Sequence, residues 1–394
     1  MGFITGSNIR VLLSASALAL FASLTVADAS SFKVLYSFTG GSNGGYPMSL
    51  TRDSNGNLYG AEGQPAGYGS VFKLAPNGSL DIYYLLKGGE GASGVFVDSN
   101  GSLWVTVSGG GTGCGVIFEI RPTGREVLKH TFTGSPTDGC NPTATLITNQ
   151  HGEFYGTSIG GGKYNGGSVF KLASDGSESL LHSFGLERGG NFPYAGLLMD
   201  GSGNLYGTDA GEGRKDSGTV FKIVPDGAET VLYTFKGPPR DGSVSDGTLI
   251  TDQLGNFYGT LRDGGLAGCD SNEGCGAVYQ LTPDGVETIL HFFTGKHGDG
   301  GNPVGGLIAD QADNFYGTTY YGGGGCSIDV YGCGMVFKFT PDGTETSLYS
   351  FSKKNGANGA FPISGVVADS SGNLYGTAYS GGAYGYGTVF KVTP

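Results

Sequence analysis

Through residues 32–394 short apolar runs alternate with clusters of Gly, Pro, Asn and Asp, and no stretch keeps a 3.6-residue apolar period without Gly or Pro interrupting it. The runs are four to seven residues long and rich in Val, Phe, Tyr and Leu, which predicts strands rather than helices. One unit, residues 196–235, carries four: GLLMD at 196–200, GNLYGT at 203–208, GTVFKI at 218–223 and ETVLYTF at 229–235. The second run returns with its aromatic at Tyr59, Trp104, Tyr155, Tyr206, Tyr258, Tyr316 and Tyr375. The third returns at Phe72, Phe118, Phe170, Phe221, Tyr279, Phe337 and Phe390. Both series count seven, at intervals of 45 to 59 residues. That is room for four short strands per repeat, so the predicted fold is all-β, a seven-bladed β-propeller of four-stranded antiparallel blades.

The ends of the repeat carry their own information. The fourth run occurs six times after a Pro-Asp-Gly-like turn, marked by Tyr84, His130, His182, Tyr233, His291 and Tyr349. The seventh unit stops at Val392-Thr393-Pro394, where its fourth run would begin. Residues 32–38, FKVLYSF, have the missing pattern and are expected to complete the last blade, removing an open edge. Ahead of them, residues 1–29 read as a secretory signal: Arg10, an apolar stretch from Val11 to Val26, and Ala27-Asp28-Ala29 as the cleavage site. Residues 30–394 are then one domain, secreted or periplasmic, and no later stretch is long and apolar enough to cross a membrane.

Composition narrows the partners. The 78 glycines follow no Gly-X-Y period, and 12% aromatic residues are enough for a packed core. A net charge of −12 argues against a nucleic-acid partner and against anionic lipid. Six cysteines fit an oxidising compartment. The short spacings Cys269–Cys275 and Cys326–Cys333 suggest local staples and leave Cys114 to pair with Cys140. No zinc spacing is present, no cofactor is predicted, and calcium in the central channel is left open. A monomer is expected.

Repeated GNLYGT, GTVFK and PDGxET blocks resemble the bacterial GloVer tandem repeat of "choice-of-anchor" exported proteins, across essentially all of residues 32–394. The resemblance implies a secreted or surface β-propeller and brings no established activity. Members often carry a C-terminal sorting anchor, whereas this chain ends on the repeat itself.

Within a unit, the first-to-second and third-to-fourth connections are tight turns such as Asp53–Gly56 and the turn at Pro225. Asp53 and its Asn-rich turn resemble the start of a calcium loop but lack the closing Glu, so they read as a turn. The other two connections are long, share the opposite face, and hold all six cysteines and a crowd of tyrosines. Function is expected on that face. Candidate binding residues are Glu62, Tyr194, Asp209, Glu212, Arg262, Asp263, Tyr320 and Tyr379. The carboxylates and Arg262 follow the second run, where a ring of them could supply acid and base, while tyrosines suit stacking on sugar rings. His130, His182 and His291 alternate with Tyr and read as structural; only His297 could reach the loop face, and no Gly-x-Ser-x-Gly elbow accompanies it. Recurring Lys of the third run and Glu of the fourth read as charged outer-strand decoration. Two readings remain: a propeller binding an extracellular glycan or other polymer, or a carboxylate-dependent glycosidase or polysaccharide lyase. A protein-interaction scaffold is the third.

Overall fold

A computed structural model describes residues 30–63, 70–85, 91–185, 191–211, 217–265, 274–296, 298–324, 332–341 and 343–394. Seven antiparallel blade sheets follow one another in a propeller ring. Blade four is representative: an inner strand Leu198–Met199, then Leu205–Asp209, Thr219–Ile223 and an outer strand Glu229–Thr234, paired in that order. Blade three adds a strand, Gly139–Pro142, and a two-stranded ladder joins Gly300–Gly301 to Tyr321–Gly322. In blade seven the outer strand is Ser31–Ser37, antiparallel to Thr388–Thr393 with Ser31 opposite Thr393 and Ser37 opposite Thr388. Among the described residues no helix is long and apolar enough to cross a membrane.

The motif residues have separate jobs in one blade. The Asp of each tight turn closes it: Asp310 accepts from Asn314 N–H at 3.0 Å, Asn314 Nδ2 at 2.8 Å and the Tyr316 hydroxyl at 2.9 Å. Asp53 is engaged by Asn57 and Tyr59 in the same way, so its carboxylate serves the turn. The Gly of the second strand makes room for the aromatic of the third. A Cβ on Gly376 would lie 2.4 Å from the Phe390 ring, and that ring is fully buried. Blade two has Val105 at this position, and its Phe118 is only partly buried. Third-strand lysines lie over second-strand tyrosines, as Lys222 does over Tyr206 at 5.7 Å, rather than reaching out as decoration.

Blades are joined by apolar contact and by a hydrogen-bonded belt. The Phe that follows the outer strand in six of the blades meets the third-strand aromatic of the next blade edge-on or tilted: Phe38–Phe72 at 5.2 Å, Phe132–Phe170 at 5.1 Å, Phe184–Phe221 at 5.0 Å, Phe235–Tyr279 at 5.2 Å, Phe293–Phe337 at 5.4 Å and Phe351–Phe390 at 5.3 Å. Such pairs contribute about 1 kcal/mol each beyond area burial. Nearer the axis, the Thr that follows the second-strand Gly donates to a backbone carbonyl of the next blade: Thr157 to Ala195 at 3.0 Å, Thr208 to Ser245 at 2.8 Å, Thr260 to Gly305 at 3.2 Å and Thr318 to Ser364 at 2.7 Å. The segments entering the inner strands touch backbone to backbone, since a Cβ on Gly305 would lie 2.3 Å from the amide of Gly365.

Candidate functional site

Among the described residues, the chain passes through a left-handed residue ahead of six inner strands: Tyr46, Asn141, Phe192, Val244, Asn302 and Phe361, with φ between 53° and 60°. A proline follows five of them. Both backbone polar groups of this residue are held. Phe361 N–H donates to Cys333 O at 2.8 Å, Asn302 N–H to Cys275 O at 2.7 Å, and Tyr46 N–H to Tyr386 O at 2.7 Å, each reaching back to the preceding blade. Its carbonyl accepts from the residue beyond the second strand: Arg262 to Val244 at 2.9 Å, Tyr320 to Asn302 at 3.0 Å, and Tyr379 to Phe361 at 3.1 Å. An L-residue adopts this conformation only when its surroundings over-determine it, and such positions concentrate at binding sites.

This framework forms a crown around the axial end of the loop face. Tyr320 stacks on Phe361 at 5.1 Å with 29° between planes, and Tyr321 packs edge-on to Tyr320 at 4.6 Å. Tyr46 lies 5.1 Å from Tyr379 and 5.7 Å from Tyr386. Next to these rings Arg262 bonds Asp246 Oδ2 through Nη1 at 3.0 Å and approaches Asp263 Oδ2 through Nε at 3.5 Å. Burial, with Asp263 nearby, pushes Asp246 up to about 6 against the pull of Arg262. Arg262, Asn302, Val304, Tyr320, Tyr321 and Ile363 line a cavity of about 320 Å³. A cavity of about 470 Å³ lies on the tight-turn side between blades seven and one, lined by Arg52, Pro76, Tyr375 and Lys391 among others, without such a convergence of rings.

The sequence candidates divide. Arg262, Tyr320 and Tyr379 all stand on the crown, and Tyr194 is exposed two residues after left-handed Phe192. Glu62 and Asp209 do not face a funnel. Each ends a second strand opposite the first residue of the third, and both are completely buried. The Ser70 hydroxyl donates to Glu62, and the Thr219 hydroxyl donates to Asp209. Burial pushes Glu62 up to about 8 despite the bonds from Ser70 and the Gly45 amide. Asp263 is buried beside Arg262. Glu212 lies outside the described residues, as does His297. Phe361, Asn302 and Val244 were not among the sequence candidates; the signal for the first two is the recurring x-Pro step, as at Tyr46-Pro47, Asn302-Pro303 and Phe361-Pro362, while Val244 is followed by Ser245 and carries no such signal.

Cys114 and Cys140 form a disulfide, tying the loop between the second and third strands of blade two to the chain entering blade three. Cys275 and Cys333 are also disulfide-bonded, while Cys269 and Cys326 lie outside the described residues.

Comparison with known proteins places this geometry. The family model of the Gloeobacter/Verrucomicrobia repeat matches residues 61–270 and 265–394. No curated protein matches the chain. Virginiamycin B lyase from Staphylococcus aureus is similar in structure with a TM-score of 0.62 and 14% identity, covering 93% of this chain and 99% of that one. A streptogramin B lyase structure aligns with a TM-score of 0.61 at 13% identity over 92% of this chain and 97% of that one. The extracellular domain of a one-component system of B. thetaiotaomicron gives a TM-score of 0.55 at 10% identity over 91% of this chain and 39% of that one. At these identities the likeness is one of fold.

Proposed function

The chain belongs to the Gloeobacter/Verrucomicrobia repeat family, and from that premise we propose that it is an exported propeller that binds an extracellular glycan or related polymer on its aromatic crown. The observation that carries this reading is the recurrence of rings at repeat-equivalent crown positions, Tyr320 against Phe361 and Tyr379 beside Tyr46. Flat faces held by backbone bonds suit the apolar faces of pyranose rings, and a pre-ordered site loses little entropy on binding. Arg262, with Asp246 and Asp263, adds polar groups at the edge of the same cavity. The net charge of −12 disfavours nucleic acid, and the disulfide supports an oxidising compartment, extracellular or periplasmic. The chain is taken to act as a monomer, and glycan binding on the crown is taken to need no cofactor.

Lyase activity of the fold neighbours is not carried over, because folds host unrelated activities. Hydrolysis of the glycan is not favoured either, since two of the candidate carboxylates, Glu62 and Asp209, are fully buried. The test is a glycan array probed with residues 30–394, run with an assay for release of reducing ends. Saturable binding without release is expected, weakened about tenfold or more, ~1.4 kcal/mol, by Tyr320→Ala or Phe361→Ala. Release of sugar would replace this reading with the hydrolase, and absence of binding to any glycan would end it.

A further inference from the structure

Between outer strands of neighbouring blades lies a second, separate chemistry. In blades two, four and five, a His or Tyr on the outer strand faces an Asp eight residues later. His130 Nε2 is 3.2 Å from Asp138 Oδ2, Tyr233 donates to Asp241 Oδ2 at 2.9 Å, and His291 Nε2 is 3.4 Å from Asp299 Oδ1. The Asp is fixed by backbone amides in each case: Thr133 and Gly139, Lys236 and Gly242, Thr294 and Gly300. Each of these seams then receives a Glu from the next outer strand, Glu178, Glu287 or Glu345. One oxygen of every such Glu, Oε1, is buried without a hydrogen-bond partner. These glutamates are therefore seam residues, not edge decoration, and burial beside the Asp raises the pKa of each.

Two carboxylates brought together in a desolvated seam need a positive charge. The fourth blade supplies one from its own chain: Lys236 Nζ donates to the Tyr233 hydroxyl at 2.8 Å, and its charge favours the ionised form of Glu287. The residue giving the same backbone bond in the other two seams is a threonine, Thr133 or Thr294. Among the described residues no Lys or Arg ion-pairs with the carboxylates there. Where the lysine is missing, the phenol is replaced by an imidazole. One ligand atom each from His, Asp and Glu then lie within 4.8 Å of one another, in both seams.

We propose that His130, Asp138 and Glu178 form one divalent-metal site, that His291, Asp299 and Glu345 form another, and that both take a zinc-class ion. One imidazole and two carboxylates suit Zn2+ and leave a coordination position for water. The ion compensates both carboxylates, and the imidazole takes it through an Nε2 that carries no proton. Each ion then ties two blades at their outer edges, in the role Lys236 plays between blades four and five.

Calorimetric titration of untagged residues 30–394 with Zn2+ at pH 7.5, after dialysis against chelator, tests this. His130→Tyr with Thr133→Lys installs the Tyr233–Lys236 pair and is expected to remove one equivalent of bound Zn2+. His291→Tyr with Thr294→Lys is expected to remove a second. Glu178→Gln and Glu345→Gln, nearly isosteric, are expected to weaken their own sites at least tenfold and to confirm the loss if the double substitutions fold poorly. Zn2+ is expected to raise the unfolding midpoint of the native chain more than that of the chain carrying all four substitutions. Absence of Zn2+ uptake by the native chain, or uptake unchanged in the substituted chains, overturns the proposal. Neither result depends on a glycan.

Discussion

The amide of Tyr379 donates to the carbonyl of Phe361 at 3.1 Å, and Phe361 is held at φ 57° when it accepts that bond. The bond joins the end of a second strand to the entrance of the inner strand in the same blade. It fixes where two side chains stand at the axial mouth. The same bond between Tyr320 and Asn302 gives the crown its second aromatic platform.

Val244 occupies that left-handed position with a β-branched side chain, at φ 60°. Two other blades carry Asn there, Asn141 and Asn302, which tolerates the conformation far better. Val244→Asn is expected to raise unfolding free energy by ~1 kcal/mol in urea denaturation.

Glu62 makes stability fall as pH rises. Burial raises its folded-state pKa from 4.5 to about 8, so the native state holds a proton the unfolded chain has lost. This contribution is fully present below about pH 4.5 and is lost as pH rises through about 8. Glu62→Gln is expected to leave stability at pH 5 nearly unchanged, to raise it at pH 8.5, and to flatten the slope between, measured by urea melts across pH.

Gly305 has no space for a methyl group. Its Cβ would meet Gly365 N at 2.3 Å and Ser364 C at 2.6 Å, both backbone atoms of the next blade. Gly305→Ala is expected to cost about 2 kcal/mol and to lower the thermal midpoint, because neither backbone can yield without moving a blade. An unchanged midpoint would mean that the segments entering the inner strands do not touch.

Asp310 holds its turn through donors from Ala312, Asn314 and Tyr316. Asp310→Ala leaves the partly buried Tyr316 hydroxyl and Asn314 amide without their acceptor, and is expected to cost about 1–3 kcal/mol in urea denaturation. Added Ca2+ is expected to restore none of it. Burial works against ionisation of Asp310, but those bonds outweigh it and lower its pKa, so its contribution fades as pH falls below 3.8.

The repeat was legible because each motif residue meets a need that recurs inside one blade. Asp310 closes a turn with Asn314 and Tyr316, and Gly376 clears space for Phe390 fourteen residues on. The crown was half legible. Arg262, Tyr320 and Tyr379 stood out as unpatterned loop residues, but Phe361 was hidden among many aromatics, since its importance lies in a backbone angle. Glu62 and Asp209 misled because a charge at a strand end gives no sign of whether it turns to solvent or inward. That depends on the Ser70 or Thr219 hydroxyl opposite it in the ladder.

Strand length, turn chemistry and the sevenfold count followed from local pattern, since hairpin turns and alternating burial act over a few residues. Three things were left to the tertiary structure. The stacking of Tyr320 on Phe361 unites two blades. The convergence of His130 with Glu178, and of His291 with Glu345, does the same at the outer edge. The burial of Glu62 was settled by the packing around it. Each depends on how neighbouring chain segments pack, and that geometry is set by the close approach of backbone such as Gly305 against Gly365, which local sequence does not report.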